Sequence, residues 1–295
     1  MRVTLLHNKS AGSENHAADD IEASVRRAGH EIVDTVSSQE ELISSIRARP
    51  CELIALAGGD GTVSRAACAL AGCGVPLAIL PLGTANNTAL SLGVLGEVDE
   101  LVRRWSSSRL APFDLATLSV GDTLVPFSEA VGWGIFPEVI ADANRMSFPD
   151  EPEHTLERDR LLFQSVIEAA EPRSYAIRVD DVSVTGKFLL VEIVNIPLIG
   201  PQLAVSPGSD SSDGVLELVV AGESERTALV ELALSGQIAS DVRLRTLRGR
   251  RITVETDDAT FHRDGSLLER PPETREFAVS VEPASVTYLL DRRRN

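Results

Sequence analysis

The sequence predicts an α/β amino-terminal domain built on a parallel sheet, followed by a mainly β carboxy-terminal domain. In residues 1–112, apolar runs of strand length alternate with segments of helical periodicity, an order that favours strand–helix–strand units. From residue 113 onward the apolar runs are short and are separated by turn residues, which is typical of a mainly β domain. A chain of 295 residues is long enough for two such domains.

Four apolar runs in the first part of the chain are predicted to be strands: residues 3–6, 32–36, 53–57 and 75–80. A helix that ends near Gly29 separates the first two strands. Ser37 and Glu40 form the S-x-x-E pattern of a capping box, so a second helix is expected to begin there, and Pro50 is expected to end it. Right-handed crossovers between parallel strands place ligands at the carboxyl ends of the strands.

Six runs in the second part of the chain are predicted to be strands: residues 115–120, 124–125, 176–179, 188–194, 215–220 and 251–255. Residues 156–170 have apolar side chains at helical spacing, which indicates a helix. That helix is expected to pack on the core, with the wall of a lipid groove as the alternative. Residues 285–291 are compatible with a last strand.

Two glycine-containing turns follow consecutive predicted strands, and each can hold a phosphate group. The first turn consists of Gly58, Gly59, Asp60, Gly61 and Thr62. The second turn consists of Gly83, Thr84, Ala85, Asn86 and Asn87. Glycines let the backbone approach an anion closely, and N–H groups at the turn and at the start of the next helix face its negative charge. For the first turn by itself, a packing role is the alternative.

Both motifs, in their order and spacing, resemble those of the diacylglycerol-kinase-type lipid kinases, whose catalytic module contains G-G-D-G-T and then P-x-G-T-x-N-D. NAD kinases and phosphofructokinases share the first motif, and the second motif separates the lipid kinases from them. The resemblance implies a Rossmann-like nucleotide-binding domain over residues 1–112 and a β-sandwich domain for lipid binding and catalysis over residues 113–282. It also implies that the last strand, at about residues 283–295, returns to the first domain.

The activity that the resemblance implies is ATP-dependent phosphorylation of a hydroxyl of a diacylglycerol-like or sphingoid lipid. The residues expected to bind ATP are Asn8, Ser10, Gly58, Gly59, Asp60, Gly61, Thr62, Gly83, Thr84 and Asn86. Asn8 and Ser10 lie in a loop that resembles the family's N-P-x-x-G element, with Lys9 in place of the proline. Asp264 matches the aspartate of the family's D-G-E motif and is expected to be the catalytic base. An ordinary Asp-Gly hairpin turn is the alternative.

Three aspartates are expected to take part in metal binding. Asp60 is expected to act through water on a Mg²⁺ ion bound to the nucleotide, because magnesium prefers oxygen ligands and keeps several waters. Asp114 matches an acidic position of the family and is expected in the same water network. Asp213 matches the D-G-x-L loop, which holds a structural ion in the family, and a plain polar turn is the alternative.

Several residues near the expected site depart from the family pattern. Asn87 stands in place of an aspartate, and Arg65 and Ser266 each stand in place of a glutamate. Ser64 replaces an asparagine, and Glu129 begins a segment where many members have an asparagine. These differences leave two alternatives to a lipid kinase: a non-catalytic nucleotide-binding module, and a kinase of a small soluble alcohol.

Composition limits the partners and the compartment. A net charge of −16 argues against nucleic-acid binding, which requires a concentrated basic surface. No apolar run is long enough to span a bilayer.

Cys51, Cys68 and Cys73 lack metal-ligand spacing and are expected to be reduced core or subsurface thiols of a cytoplasmic protein. An arginine cluster at residues 243–251 is expected to be a solvated strand, with a patch that meets lipid headgroups during transient membrane contact as the alternative. A homodimer is expected from the resemblance alone.

Overall fold

The computed structural model describes residues 1–8, 17–146, 155–237 and 244–292. Ser10 and Lys9, which the sequence assigns to the first loop, lie outside the described residues, as does Arg243 of the arginine cluster. The chain forms two compact units. Unit 1 consists of Met1–Phe113 and Ala284–Asn295, and unit 2 consists of Asp114–Pro283.

Unit 1 is an α/β unit with a parallel sheet. Its strands are β1 (Arg2–His7), β2 (Glu31–Val36), β3 (Leu53–Gly58) and β4 (Leu77–Pro81). Its helices are α1 (Ala18–Arg27), α2 (Gln39–Ala48), α3 (Asp60–Ala69), α4 (Asn87–Ser91) and α5 (Val98–Arg104), and a short 3₁₀ turn spans Trp105–Ser107. The strand order is β2, β1, β3, β4, and each of these neighbours is parallel. Every residue of β3 is buried, as expected for a central parallel strand.

The capping residue of α2 differs from the prediction by one position. Ser38, not Ser37, is the N-cap, and its hydroxyl accepts a hydrogen bond from the Glu41 N–H at 3.2 Å. The Glu41 carboxylate in turn accepts the Ser37 N–H at 2.8 Å. The sequence contains two overlapping S-x-x-E patterns, Ser37 with Glu40 and Ser38 with Glu41, so the pattern alone did not fix the first residue of the helix.

Unit 2 is mainly antiparallel β structure. The strands that lie wholly or partly in it are β5 (Arg109–Val120), β6 (Thr123–Phe127), β7 (Ala130–Gly134), β8 (Arg173–Val179), β9 (Val182–Phe188), β10 (Leu190–Val194), β11 (Leu198–Ile199), β12 (Leu203–Ala204), β13 (Leu216–Ala221), β14 (Arg245–Gly249), β15 (Arg251–Thr256), β16 (Thr260–Arg263), β17 (Ser266–Glu269) and β18 (Glu276–Leu290). Its helices are α6 (Ile135–Arg145), α7 (Thr155–Ala169) and α8 (Arg226–Ser235), with a 3₁₀ turn at Glu223–Glu225.

The strands of unit 2 form two layers around one core. One sheet has the order β14, β13, β10, β7, β16, β17, and the other layer contains the antiparallel neighbours β18, β15, β8 and β9 and the hairpin of β5 and β6. Apolar side chains from both layers share a single buried cluster. Trp133 lies within it and packs edge-on against Phe277, with ring centroids 5.0 Å apart. Unit 2 is therefore a β-sandwich, and the predicted fold class is confirmed.

Strand β18 contains residues of both units. Its first part, from Glu276 to Ser280, pairs antiparallel with β15 in unit 2. Its last part belongs to unit 1, where Tyr288 pairs in parallel with Leu77 of β4. Tyr288 is fully buried there, and its ring meets Phe113 edge-on at 5.1 Å.

Sequence patterns did not reveal every element. Strand β7 contains Gly132 and Gly134, which resemble loop residues, and α6 and α8 were not predicted. Gly132 is required by packing, because a Cβ built on it would overlap the carboxylate of Glu192. None of the three cysteines forms a disulfide, and Cys73 is exposed, so the expectation of a core or subsurface thiol was wrong for this residue.

Candidate active site

The first candidate loop of unit 1 leaves the carboxyl end of β1 beside the end of β3. The Asn8 N–H donates to the Ala57 carbonyl oxygen at 3.1 Å, which continues the ladder between the two strands. The Asn8 side chain then reaches α3, where its Nδ2 donates to the Thr62 Oγ1 at 2.9 Å. Asn8 and Thr62, both predicted as ATP-binding residues, are therefore neighbours.

The first glycine turn allows close packing at the end of β3. A Cβ built on Gly58 would lie 2.7 Å from the Thr62 Cβ, and one built on Gly59 would lie 3.0 Å from the Gly83 Cα. Neither position has room for a side chain. Helix α3 begins at Asp60, so the last three residues of the predicted turn form the start of the helix, and its first N–H groups and the positive end of its dipole lie there.

The second glycine turn is closed by the side chain of Asn86. Its Oδ1 accepts the Gly83 N–H at 3.0 Å, and its Nδ2 donates to the Gly83 carbonyl oxygen at 2.5 Å. Asn86 has a φ of 52°, in the left-handed region that asparagine tolerates better than most residues. Thr84 lies exposed in the same turn.

Asp60 joins the two turns. Its Oδ1 accepts the N–H of Thr88, in α4, at 3.2 Å. A carboxylate at the first residue of a helix is favoured by the helix dipole, and here the same carboxylate also fixes the neighbouring helix. Asp60 is partly buried, as is Gly59 before it.

Arg65 lies one turn along α3 from Gly61. Its guanidinium would be 3.1 Å from a Cβ built on Gly61, so the cation lies over the first turn of the helix. The sequence marked Arg65 only as a departure from the family pattern. The i, i+4 spacing of Gly61 and Arg65 on a helix could have indicated this position.

Asp264, the predicted base, lies in unit 2 at the turn between β16 and β17 and has a φ of 44°. Its carboxylate accepts the N–H groups of Ser128, Glu129 and Ala130 at 3.0, 2.9 and 3.1 Å. Its own N–H donates to the Ala130 carbonyl oxygen at 2.9 Å. Asp264 is therefore more than a hairpin residue, because it fixes the segment that leads into β7.

Asn195 holds the same segment from the other side, and sequence reasoning did not identify it as a site residue. It is 1% exposed, and its Nδ2 donates to the carbonyl oxygens of Asp114 and Ser128 at 2.8 and 2.9 Å. Its N–H donates to the Glu129 carbonyl oxygen at 2.8 Å. An asparagine directly after the apolar strand β10 was the available signal.

Asp114 is held by the loop that precedes β13. Its N–H donates to the Ser211 carbonyl oxygen at 2.6 Å, and its Oδ2 accepts the Gly214 N–H at 2.7 Å. In the same loop the Asp213 Oδ1 accepts the Val215 N–H at 3.1 Å, and its Oδ2 forms a salt bridge with Arg248.

His262, two residues before Asp264, forms a buried pair with Glu192. The His262 Nε2 is 2.9 Å from the Glu192 Oε2 and 3.0 Å from its Oε1. Glu192 is 0% exposed, and burial raises the pKa of its carboxyl, an effect that His262 opposes. The imidazole also stacks on Phe136, with ring centroids 5.4 Å apart.

The structure thus brings the predicted residues together in two groups. Unit 1 assembles Asn8, Gly58, Gly59, Asp60, Gly61, Thr62, Gly83, Thr84 and Asn86. Unit 2 contains Asp114, Asp213 and Asp264. Within the described residues, no three or more His, Cys, Asp or Glu side chains are grouped so that they could hold a metal ion.

A parallel sheet with two glycine turns at its carboxyl edge, together with an antiparallel sandwich, is the architecture of the NAD kinase-like proteins. Residues 2–118 match the model of the diacylglycerol kinase catalytic domain, and residues 131–290 match that of the YegS C-terminal NAD kinase beta sandwich-like domain. The chain belongs to the family of diacylglycerol kinases and YegS-like lipid kinases.

Relatives match along nearly the whole chain. A protein of Mycobacterium tuberculosis (strain H37Rv) named "Diacylglycerol kinase" is 25% identical over 307 aligned positions, covering 99% of this chain and 96% of the relative. A "Probable lipid kinase YegS-like" of Citrobacter koseri is 26% identical over 238 positions, covering 77% of each chain.

Solved structures share the fold. A diacylglycerol kinase from Bacillus anthracis strain Sterne superposes with a TM-score of 0.71 at 19% identity, covering 98% of this chain and 97% of the other. A second structure from the same strain gives a TM-score of 0.74 at 20% identity, with the same coverage. Because the family is one of kinases, the chain is placed among the phosphotransferases.

Proposed function

We propose that this chain is a lipid kinase that transfers the γ-phosphoryl group of ATP to a hydroxyl of a diacylglycerol-like or sphingoid lipid. The observation that carries the proposal is the contact between the two glycine turns, in which Gly59 and Gly83 are too close to admit a side chain. Such a turn, followed directly by the start of a helix, suits the close approach of phosphate groups. The relative named diacylglycerol kinase supports the class of acceptor.

In this proposal the residues of unit 1 bind and orient the nucleotide phosphates. The N–H groups at the start of α3 donate to phosphate oxygens, and the Arg65 guanidinium above Gly61 adds a positive charge. Asn8 fixes Thr62 by the hydrogen bond to its hydroxyl, and Asn86 fixes the second turn. Phosphoryl transfer requires positioning and charge stabilisation more than covalent chemistry, and a rigid cradle provides both.

Mg²⁺, when bound, would supply charge neutralisation at the phosphates. Asp60 fits this role because it is a partly buried carboxylate of the first glycine turn, next to the start of α4. No cage of protein ligands is found among the described residues, which agrees with an ion held mainly by phosphate oxygens and water. Asp114 is our second candidate for the water network, although its Oδ2 also accepts the Gly214 N–H.

Asp264 is our candidate for the base. It would accept the proton of the lipid hydroxyl while that oxygen bonds to the γ-phosphorus and the bond to the β-phosphate oxygen breaks, which releases ADP. The three N–H groups that donate to its carboxylate orient it in a single direction. Such preorientation is what a general base requires.

The lipid acceptor implies transient contact with a membrane surface by a cytoplasmic protein, and we propose both. We propose a homodimer on the resemblance alone. None of the helices that the structure describes has the length and apolar character needed to cross a bilayer.

The experiment is transfer of labelled γ-phosphate from Mg-ATP to micelles of diacylglycerol, monoacylglycerol, phosphatidylglycerol, ceramide or sphingosine. We expect labelled lipid with the wild type, and none above background with Asp264→Asn. Asp122→Asn, an exposed change in the turn between β5 and β6, is the matched control and should retain full activity. ATP binding and the midpoint of thermal unfolding are measured for each variant, because Asp264 also holds three backbone N–H groups.

Two results would contradict the proposal. If the wild type binds ATP but labels no lipid, the function is not that of a lipid kinase. If Asp264→Asn is folded and labels lipid at the wild-type rate, another group is the base.

A further inference from the structure

A salt-bridged cluster in unit 2 lies where the sequence motif leads one to expect an ion. Asp213 belongs to the stretch that matches the D-G-x-L loop. Its Oδ2 is salt-bridged to Arg248, and its Oδ1 accepts the Val215 N–H at 3.1 Å. Both oxygens of the carboxylate are therefore engaged, one of them by a permanent cation.

Arg248 has a second acidic partner in the strand next to its own. Its Nε is 3.0 Å from the Glu217 Oε1, and the two residues are directly opposite each other in the antiparallel pair of β13 and β14. The Glu217 side chain is 3% exposed, and that of Arg248 is 54% exposed. Burial raises the pKa of the Glu217 carboxyl, while the neighbouring Ser209 and Arg248 oppose this rise. One guanidinium thus serves two carboxylates, and its planar fork of donors suits such a role.

We infer that the guanidinium of Arg248 is the resident cation of this loop and that the loop needs no divalent ion. A divalent cation bound to Asp213 would have to displace the guanidinium or lie beside it, and the second arrangement is opposed by like-charge repulsion. The described residues also provide no group of three or more acidic, histidine or cysteine ligands here. The residues present therefore do not fit a structural metal site.

The loop matters because it holds a candidate site residue. Its Ser211 carbonyl and Gly214 N–H bond to the backbone and the carboxylate of Asp114. Arg248 is consequently linked to Asp114 through Asp213 and the loop backbone. If the activity depends on divalent ions, the ion responsible would then be the one bound to the nucleotide, not one bound to this loop.

The test is thermal unfolding of the whole chain without nucleotide, in EDTA and in millimolar Mg²⁺ or Ca²⁺. We expect the midpoint of the wild type to be the same in all three solutions. Arg248→Met, which keeps the length of the side chain but removes its charge, should lower the midpoint by roughly 3–8 °C. Arg178→Met, at an exposed arginine of β8, is the matched control and should change the midpoint little.

A double-mutant cycle links the effect to Asp213. Asp213→Asn should destabilise the wild type but cost little in the Arg248→Met background, because the pair is already broken there. A wild-type midpoint that falls in EDTA and recovers with Mg²⁺ or Ca²⁺ would overturn the inference. So would an Arg248→Met protein as stable as the wild type, or full additivity of the two changes. Since nucleotide is absent, none of these results depends on whether the chain is a lipid kinase.

Discussion

A Cβ built on Gly83 would lie 2.5 Å from the Cα of Gly59, so the two glycine turns of unit 1 are in direct backbone contact. The contact brings together residues that lie 24 positions apart in the sequence, at the ends of β3 and β4. The proposed phosphate cradle is therefore a single packed structure, and a side chain added at Gly83 would displace the first turn.

Gly83→Ala should disrupt this contact. The methyl group would overlap the Gly59 backbone and crowd the Asn86 Oδ1, so we expect a loss of about 1–3 kcal/mol of unfolding free energy and a clear loss of ATP affinity. Gly208→Ala is the control, because a Cβ at that position meets nothing within 4 Å. Calorimetry with ATP and denaturant unfolding would measure both effects. Wild-type ATP affinity in Gly83→Ala would argue against a phosphate cradle at this contact.

Asp60→Asn should lower the catalytic rate without lowering the stability of the protein. The asparagine Oδ1 can still accept the Thr88 N–H, so stability should change little. Loss of the charge next to the proposed Mg²⁺ should lower kcat by roughly 100-fold or more. Lipid phosphorylation at several Mg²⁺ concentrations is the measurement, with Asp122→Asn again as the control. An unchanged kcat at every Mg²⁺ concentration would show that Asp60 has no role in the site.

Arg65→Glu should weaken nucleotide binding by reversing the charge above Gly61. We expect ATP affinity to fall by about tenfold or more at low salt, with a smaller loss at high salt because the interaction is screened. Arg47→Glu, at an exposed arginine of α2, makes the same charge change away from the glycine turns. Equal effects of the two variants would indicate a general charge effect instead of a specific contact.

Asn195→Ala should destabilise unit 2, because the buried carbonyl groups of Asp114 and Ser128 each lose a donor. We expect a loss of about 2–5 kcal/mol and lower kinase activity, whereas Asn144→Ala, at an exposed asparagine of α6, should have little effect. Urea unfolding measures the loss. A loss no larger than that of Asn144→Ala would mean that these bonds add nothing to stability.

Glu192→Gln should change how stability depends on pH. Burial raises the folded-state pKa of Glu192 above its ordinary value of 4.5, so the folded protein holds a proton that the unfolded chain releases. Wild-type stability should therefore fall as the pH rises from 4.5 through the folded pKa, by up to about 1.4 kcal/mol per pH unit. In Glu192→Gln this contribution is absent. The free energy of unfolding of the variant should therefore rise relative to that of the wild type as the pH rises. Urea unfolding at a series of pH values is the measurement. If Glu192 contributes nothing, the curves of stability against pH for the wild type and for Glu192→Gln will be parallel.

The sequence predicted the parts of the fold that depend on local pattern. Strand β3 and the glycine turn after it were predicted because an apolar run and a glycine cluster are both visible within a short window. Asn195 was missed because its role depends on Ser128 and Asp114, which are 67 and 81 positions away. Arg248 was missed for the same reason, since its partner Asp213 is 35 positions away. Long-range polar contacts leave no periodic signal.

Strand β18 gives the chain an order of assembly during synthesis. Unit 1 contains residues 1–113 and 284–295, and the residue that pairs with Leu77 at the edge of β4 is Tyr288. A ribosome therefore makes all of unit 2 before it makes the residue that covers this edge. Until then β4 is an open edge strand that can pair with other chains. Unit 1, although its chain begins earlier, is therefore complete only after the whole of unit 2 has been made.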